Sequence, residues 1–326
     1  MNICSYIHML NKIRIYKGGN MIYTVTFNPA IDYVAEVDKI NEKKINRASS
    51  EKVMAGGKGI NVSIVLKNLG IENVALGFIA GFTGTEIKRQ VENHGIKTDF
   101  VYINNKFSRI NIKLQSKVAG IVSTETAING EGPKISGKEI EELMKKIETL
   151  ENGDYLVLAG STSRKMQDDI YEKICKRIKN KQVKIVADAT GKLLVNVLKH
   201  KPFLIKPNKE ELEEIFEDQI NTKEEIIMYA KKLQEMGAQN VLISLGGDGA
   251  ILITKDKNIL YSKAPKGNVV NSVGAGDSMV AGFIAGLLTY DDYEKAFKMG
   301  IASGSATTFS ENLATKDEIL FQFSRL

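Results

Sequence analysis

The chain has 326 residues, of which 43% are hydrophobic, which is enough for one large domain with a sizeable core. Its formal net charge is +6, but Lys12, Arg14 and Lys17 contribute three of these charges, so the chain after residue 20 holds 42 basic and 39 acidic side chains. This even balance predicts no nucleic-acid partner. With two cysteines and three histidines, the chain has neither a disulfide framework nor a zinc cluster at ligand spacing.

The N-terminal segment lacks the features of a targeting signal. Residues 1–20 have no apolar core with a cleavage site, and no stretch of the chain approaches the roughly 18 to 20 apolar residues of a membrane span. These absences predict a cytoplasmic protein without a membrane partner.

Residues 1–20 also precede a natural domain start, because Met21 opens the strand-like run 22–27. The four residues 17–20 can be encoded by a purine-rich, ribosome-binding sequence. We therefore predict that 1–20 is an untranslated leader, with a short disordered extension as the alternative. Residues 21–326 then form a single domain.

After Met21, short apolar runs alternate with amphipathic segments, as in a series of βαβ units. We predict strands over 22–27, 73–79, 155–159, 183–188, 203–206 and 240–244, and a hairpin over 250–254 and 258–262. Helices are predicted over 59–69, 84–94, 137–150, 167–179, 209–217, 223–236, 276–289 and 292–308. This order predicts an α/β fold with a mostly parallel, doubly wound sheet that binds ligands at the carboxyl ends of its strands.

Two stretches, 32–54 and 99–127, interrupt the alternation because they contain strand-like runs, such as 100–103 and 109–114, with little helix between them. They predict a small separate sheet that serves as a lid over the core. Edge strands added to the main sheet are the alternative.

The stretch 271–278 places Gly274, Ala275, Gly276 and Asp277 directly ahead of an apolar helix. Successive backbone N–H groups at a helix start suit an anion, and a carboxylate there can accept the proton of an attacking hydroxyl. A helix cap is the alternative role of Asp277. Because position 279 is Met, the stretch fails the dinucleotide fingerprint, which disfavours an NAD-linked oxidoreductase.

A second glycine-rich stretch, Gly56-Gly57-Lys58-Gly59 followed by Asn61, also opens a helix. Its glycines permit close approach of a small polar ligand, and Asn61 can both donate and accept hydrogen bonds, as a sugar hydroxyl requires. A Walker-type ATPase is disfavoured because Gly59 follows the lysine. A tight structural turn is the alternative.

Two further stretches follow predicted strands. The loop 244–249 has the composition of a hairpin turn. Asn208 and Glu211, just after Lys206, have oxygen atoms suited to Mg²⁺ held mainly through water, or else form an N-cap with a first-turn glutamate.

Taken in order, these stretches resemble the ribokinase-like, PfkB-type carbohydrate kinases over essentially all of 21–326. The resemblance implies a three-layer α/β/α domain with a β-sheet lid, ATP as phosphate donor, Mg²⁺, and a homodimer formed through the lids. It implies Asp277 as general base, with the amides of Gly274, Ala275 and Gly276 holding the transferred phosphoryl group. Mg²⁺ would be associated with Asn208 and Glu211. The implied nucleotide-binding residues are Lys206, Asn208, Ser244, Leu245, Gly246, Gly247, Asp248, Gly249 and Gly276.

Within the family, the opening 26–32 is similar to the branch that acts on sugars already carrying phosphate, which includes 1-phosphofructokinases and tagatose-6-phosphate kinases. The branch implies that Asp32 binds sugar hydroxyls and that Lys58 and Arg109 bind the existing phosphate, together with Gly56, Gly57 and Asn61 as further substrate contacts. Phosphorylation of fructose 1-phosphate to fructose 1,6-bisphosphate is the implied reaction, and tagatose-6-phosphate kinase is the alternative. A sugar-phosphate-binding protein without catalysis is a further alternative, which Asp277 disfavours.

The stretch 160–165 departs from the branch pattern G-S-L-P-R/K-G, since it reads Gly160-Ser161-Thr162-Ser163-Arg164-Lys165. Ser161 and Arg164 match positions that bind the substrate, whereas the proline and the final glycine are missing. The shape of this loop near the sugar phosphate therefore stays open.

Overall fold

The computed structural model describes residues 19–326 except positions 39, 42, 105, 119–120 and 161–168. The leader predicted for 1–20 falls almost wholly outside the described residues and stays a prediction. The strands are β1 Ile22–Thr26, β2 Ala30–Val37, β3 Ser50–Gly56, β4 Asn73–Ala80, β5 Lys97–Thr98, β6 Val101–Ile103, β7 Arg109–Val118, β8 Ile121–Asn129, β9 Tyr155–Ala159, β10 Lys184–Asp188, β11 Leu204–Ile205, β12 Asn240–Ser244, β13 Ala250–Ile253 and β14 Ile259–Ser262.

The α-helices lie between and after these strands. They are α1 Lys58–Asn68, α2 Gly81–Asn93, α3 Gly137–Ile147, α4 Ile170–Arg177, α5 Gly191–Leu198, α6 Lys209–Phe216, α7 Lys223–Glu235, α8 Ala275–Tyr290, α9 Tyr293–Thr308 and α10 Lys316–Phe323. The predicted strands and helices are recovered with small shifts, and α5 and α10 are additional. In the described part of the chain, no helix is both long and apolar enough to cross a bilayer.

The main sheet has the order β14-β13-β12-β11-β10-β9-β1-β4-β5, and β6 pairs with β4. Its central strands are parallel, and at one edge β13 pairs antiparallel with both β12 and β14. The chain goes from β1 to β4 on one side and then returns to β9 on the other. The crevice of the main sheet lies at its carboxyl edge, where doubly wound sheets bind ligands, and its lining includes Asp188, Lys206 and Ser244, at or just after the ends of β10, β11 and β12.

Both faces of the main sheet are buried, which explains why its central strands are continuously apolar. Every residue of β9 is buried. Helices α1, α8, α9 and α10 cover one face, and α3 to α7 cover the other. The predicted three-layer α/β/α fold with a mostly parallel sheet is confirmed.

A second sheet, called the lid sheet here, has the order β3-β2-β7-β8 and confirms the predicted small separate sheet. In its register Asp32 lies opposite both Met54 and Asn111, while the next row joins Val53, Tyr33, Ile112 and Ile128. Because side chains alternate between faces, these two rows point to opposite sides of the sheet. The row with Asp32 and Asn111 faces the crevice, since both residues line it.

The assignment of 100–103 to the lid was wrong, because β6 pairs with β4 of the main sheet. Val101 and Ile103 are buried in the core cluster that also contains Leu143 and Ile147 of α3, whereas Tyr102 between them is exposed. The alternation of this segment therefore serves the main core, as the edge-strand alternative required.

Candidate active site

A cleft of about 1600 Å³ opens between the carboxyl ends of the main sheet and the lid sheet. Most residues predicted for substrate, nucleotide and catalysis line it, namely Asp32, Gly57, Lys58, Asn61, Arg109, Lys206, Asn208, Glu211, the loop 244–249 and the turn 274–277. Gly56 is not among the lining residues, although its neighbour Gly57 is. Ser161 and Arg164 lie outside the described residues, so their roles stay predictions.

Asp277 stands at the start of α8, three residues after Gly274. Gly274 is the N-cap residue and has a left-handed φ of 81°, which favours glycine. Asp277 is 5% exposed, and its Oδ2 accepts a 2.7 Å hydrogen bond from Asn61 Nδ2. Since the cap position belongs to Gly274, the carboxylate of Asp277 is not the N-cap and points to α1 instead.

The environment of Asp277 favours the protonated carboxyl. Burial and the nearby Asp188 raise its pKa to about 7, against the smaller opposing effects of Asn61, Lys58 and Lys206. A carboxyl that titrates near neutral pH is suited to accept and release a proton.

Asp188 is a site residue to which the sequence analysis assigned no role. It ends β10, is 1% exposed, and its Oδ1 lies 3.3 Å from Lys206 Nζ and 3.5 Å from Lys58 Nζ. Burial opposes its ionisation, but the two ammonium groups outweigh burial and lower its pKa. Its position at the carboxyl end of a predicted central strand was the signal that could have identified it.

Lys58 and Arg109, which were predicted to bind one phosphate, have different partners. Burial lowers the pKa of Lys58, yet Asp188, Asp277 and Glu211 outweigh it, so that the pKa is raised. Arg109 lies instead near Asp32, and its pKa is lowered because burial outweighs that carboxylate. Its Nε is buried without a hydrogen-bond partner among the described residues. Lys58 thus belongs to the group around Asp277 and Asp188, and Arg109 belongs to the lid side of the cleft.

Asp32 is held in place on the lid sheet. Asn111 Nδ2 donates a 2.8 Å hydrogen bond to its Oδ1, and Lys113 Nζ lies 3.3 Å from its Oδ2. A side chain at Gly56 would place its Cβ 3.0 Å from Asp32 Cγ, so the carboxylate would have to shift to make room for it. Asn111 and Lys113 belong to the strand-like run 109–114, which gave no indication that they would hold Asp32.

Asn208 and Glu211 form a capping box at the start of α6. Glu211 N donates to Asn208 Oδ1 at 2.7 Å, and Asn208 N donates to Glu211 Oε2 at 2.9 Å. This is the N-cap with a first-turn glutamate that the sequence analysis gave as the alternative to a magnesium site, and both residues also line the cleft. In the described part of the chain, no three acidic, His or Cys side chains are grouped to enclose a metal ion.

The loop 244–249 connects the antiparallel strands β12 and β13 through a 3₁₀ turn at Gly246–Asp248. It is therefore a hairpin connection, as its composition indicates, and it also lines the cleft. Gly249 has a φ of 95°, and a Cβ there would lie 2.0 Å from Ser262 O. The loop thus depends on glycine for its shape.

The profile of the pfkB family carbohydrate kinases matches residues 22–319. The chain belongs to the PfkB family of carbohydrate kinases. Among its relatives, it is 43% identical to a 1-phosphofructokinase of Bacillus subtilis, over 91% of this chain and 95% of the relative. It is 38% identical to a D-tagatose-1-phosphate kinase of Bacillus licheniformis, over 90% and 94% of the two chains.

Two solved structures share the fold of this chain. Phosphofructokinase-2 from Escherichia coli, solved in complex with fructose-6-phosphate, superposes with a TM-score of 0.87 at 23% identity and covers 94% of this chain and 99% of its own. A ribokinase of Arabidopsis thaliana, complexed with ribose and ATP, superposes with a TM-score of 0.75 at 19% identity, covering 94% and 99%. At these identities the two structures support the fold alone.

Proposed function

We propose that this PfkB-family chain is an ATP-dependent 1-phosphofructokinase, which transfers the γ-phosphoryl group of ATP to fructose 1-phosphate and forms fructose 1,6-bisphosphate. The observation that carries this proposal is the buried carboxylate of Asp277 at a glycine-rich helix start, in a chain 43% identical to a 1-phosphofructokinase over nearly its whole length.

In the proposed reaction, ionised Asp277 accepts the proton of the attacking sugar hydroxyl. The backbone N–H groups of Gly274, Ala275 and Gly276 lie at the positive end of α8 and stabilise the charge on the transferred phosphoryl group. The hydrogen bond from Asn61 keeps the carboxylate oriented. The protein thereby positions both the acceptor of the proton and the donors to the phosphoryl oxygens.

The sugar phosphate would lie between this centre and the lid sheet. Asp32 is fixed by Asn111 and Lys113 and is suited to accept hydrogen bonds from sugar hydroxyls. Arg109 offers a guanidinium group to the phosphate that the sugar already carries, whose charge is about −2. The lid sheet would then close over the bound sugar and exclude water.

ATP would lie along the loop 244–249 with its phosphates near Lys206 and Asn208, all of which line the cleft. Mg²⁺ fits the oxygen atoms of Asn208 and Glu211 through water, since each of these side chains already makes a hydrogen bond in the capping box. When bound, Mg²⁺ would neutralise negative charge on the nucleotide phosphates.

The test is an ADP-release assay with ATP and fructose 1-phosphate, fructose 6-phosphate, tagatose 6-phosphate, tagatose 1-phosphate or free fructose as acceptor. The highest kcat/KM is expected for fructose 1-phosphate. Tagatose 1-phosphate is the second candidate, because a relative named for that activity is 38% identical. Activity confined to free fructose, or binding of sugar phosphate without turnover, would contradict the proposal.

The outer face of the lid sheet supports the proposed homodimer. The row formed by Val53, Tyr33, Ile112 and Ile128 points away from the cleft, and Val53 and Ile128 are 48% and 58% exposed. An exposed apolar row of this kind marks an interaction surface. Sedimentation of the wild type is expected to show a dimer and that of Ile128→Lys a monomer; an unchanged mass in the variant would contradict a lid interface. The cytoplasmic location stays a prediction.

A further inference from the structure

We propose that Asp188 is a positioning residue of the transfer centre: its carboxylate holds Lys58 and Lys206 together beside Asp277 and keeps both ammonium groups from pairing with the proton acceptor. This inference rests on the proposed function, in which Asp277 accepts the hydroxyl proton.

The first observation is the setting of the Asp188 carboxylate. It is buried, and neither of its oxygens has a hydrogen-bond partner among the described residues. Its described contacts are ionic, from Oδ1 to Lys206 Nζ at 3.3 Å and to Lys58 Nζ at 3.5 Å. A buried carboxylate is costly without compensation, so these two ammonium groups are its counter-ions.

The two lysines come from separate elements and approach the same oxygen. Lys58 is the first residue of α1, and Lys206 follows β11. Two ammonium groups this close to one atom would repel each other without an anion between them. Asp188, at the end of β10, lies between these elements and supplies that anion.

Lys206 also reaches the turn that is proposed to hold the phosphoryl group. A Cβ at Gly276 would lie 3.1 Å from Lys206 Nζ, which places the ammonium group directly against the first turn of α8. A cation there is suited to the charge of a phosphoryl group in transfer. The side chain of Lys206 is only 6% exposed, so it has little freedom to find this position by itself.

Without Asp188, both lysines would still lie near the Asp277 carboxylate, and Lys58 would keep Glu211 as a further anionic neighbour. Charged groups face Asp277 from three elements: Asp188 on β10, Lys58 on α1, and Lys206 after β11; Asn61 on α1 adds its hydrogen bond. Loss of Asp188 removes the repulsive carboxylate and leaves both cations to stabilise the ionised form of Asp277. Asp277 would then bind its proton less tightly. It would also pair with Lys58 and Lys206, which are proposed to stabilise the transferred phosphoryl group.

The test compares Asp188→Asn with the wild type in two measurements. The kcat at its pH plateau is expected to fall roughly 100-fold, because misplacing groups at the reacting atoms by about 1 Å costs that much. The acidic limb of the kcat/KM profile is expected to move to lower pH. A residue that only supports the fold would lower activity at all pH values without moving this limb.

A matched control is Asp154→Asn. Asp154 is also buried, at 4% exposed, but it precedes β9 at the opposite end of the sheet, where it accepts hydrogen bonds from the backbone N–H groups of Met21 and Glu151. This variant is expected to be less stable and to keep the wild-type acidic limb. An equal displacement of the limb in both variants would overturn the proposal.

The pKa of Asp277 in the free protein provides a readout that needs no substrate. It can be followed by NMR of ¹³C-labelled aspartate carboxyls, with Asp277→Asn to assign the signal. The pKa is expected to fall in Asp188→Asn. If the wild type phosphorylates none of the sugars, the proposed function fails, while this titration still decides the role of Asp188. An unchanged pKa in Asp188→Asn refutes that role.

Asp188→Asn leaves the buried ammonium group of Lys206 without the Asp188 carboxylate, so the folding of this variant is checked by circular dichroism. If it does not fold, the pair Lys58→Met and Lys58→Met/Asp188→Asn replaces it, because the double variant removes a cation and an anion together. The double variant is expected to have a lower Asp277 pKa than Lys58→Met, because it lacks the repulsive carboxylate that Lys58→Met keeps. The same pKa in both variants would reject the proposal.

Discussion

Asn61 Nδ2 donates a 2.7 Å hydrogen bond to Asp277 Oδ2, and this contact joins the first turn of α1 to the first turn of α8. The two residues are 216 positions apart in the chain. The bond stabilises the ionised carboxylate and so opposes the effect of burial and of Asp188 on its pKa. Asn61 thus orients the proposed proton acceptor and also sets the pH at which it becomes available.

Removal of the Asn61 amide is expected to move the acidic limb of the kcat/KM profile to higher pH. Asn61→Leu deletes the donor, so the ionised form of Asp277 is less stable and its pKa rises further above the value of about 7. The measurement is the pH profile under limiting fructose 1-phosphate. The direction is opposite to that expected for Asp188→Asn, and a limb that stays in place would argue against Asn61 as the partner in solution.

Asp277→Asn is expected to lower kcat by roughly 10²- to 10⁴-fold, the usual contribution of a general base. The amide is similar in size and cannot accept the proton, so the shape of the cleft is preserved. Affinity for ATP, measured by calorimetry, is expected to change little. A kcat near that of the wild type would exclude Asp277 as the proton acceptor.

The same variant is expected to be more stable than the wild type at pH 8 and not at pH 4. The folded-state pKa of Asp277 is raised from 3.8 to about 7, so the folded protein binds a proton that the unfolded chain releases between these values. The stabilisation by the protonated carboxyl is complete below pH 3.8 and is lost as the pH rises through 7. Asn does not ionise and avoids this loss. Thermal unfolding of both proteins across this range tests the sign, and a difference in Tm that grew toward acid would contradict it.

Gly59→Ala is expected to destabilise the fold by about 1–3 kcal/mol through overpacking. A Cβ at Gly59 would lie 2.5 Å from Thr26 Oγ1 and 2.8 Å from Val25 O, where α1 crosses β1. Gly137→Ala is the matched control, because a Cβ at this first residue of α3 meets no atom within 4 Å. Chemical denaturation should show a loss for Gly59→Ala and none for Gly137→Ala. Equal stability of the two variants would show that α1 can shift away from β1.

Much of the fold could be predicted because local pattern and tertiary role coincide. The continuous apolar run of β9 indicates a buried strand and the amphipathic pattern of α3 indicates a helix, and neither prediction requires knowledge of the segments packed against them. For 100–103 the alternation was recognised but its partner was not, because a strand pattern does not state which sheet it joins. That choice is made by burial of Val101 and Ile103 against α3.

The site residues that lie within glycine-rich stretches could be predicted from the sequence. Those whose role depends on contacts with residues far away in the chain could not. Asp277 could be identified because a carboxylate at an anion-binding helix start repels the anion, which is unfavourable unless the carboxylate accepts a proton. Asp188 has only its place at the end of a predicted strand as a signal, since the two lysines that pair with it come from other elements. The different surroundings of Lys58 and Arg109 likewise depend on the packing of α1 and of the lid sheet.

The four ionisable side chains Lys58, Lys206, Asp188 and Asp277 form a set with equal numbers of cations and acids. A ligand phosphate that enters this set brings further negative charge to Asp277 and increases its affinity for a proton, so binding near pH 7 draws protons from the solution. Calorimetry of ATP binding in buffers of different ionisation enthalpy should show this uptake, and Asp277→Asn should reduce it. Acidification would then tighten the binding of ATP and at the same time slow turnover, because both depend on the protonation of Asp277.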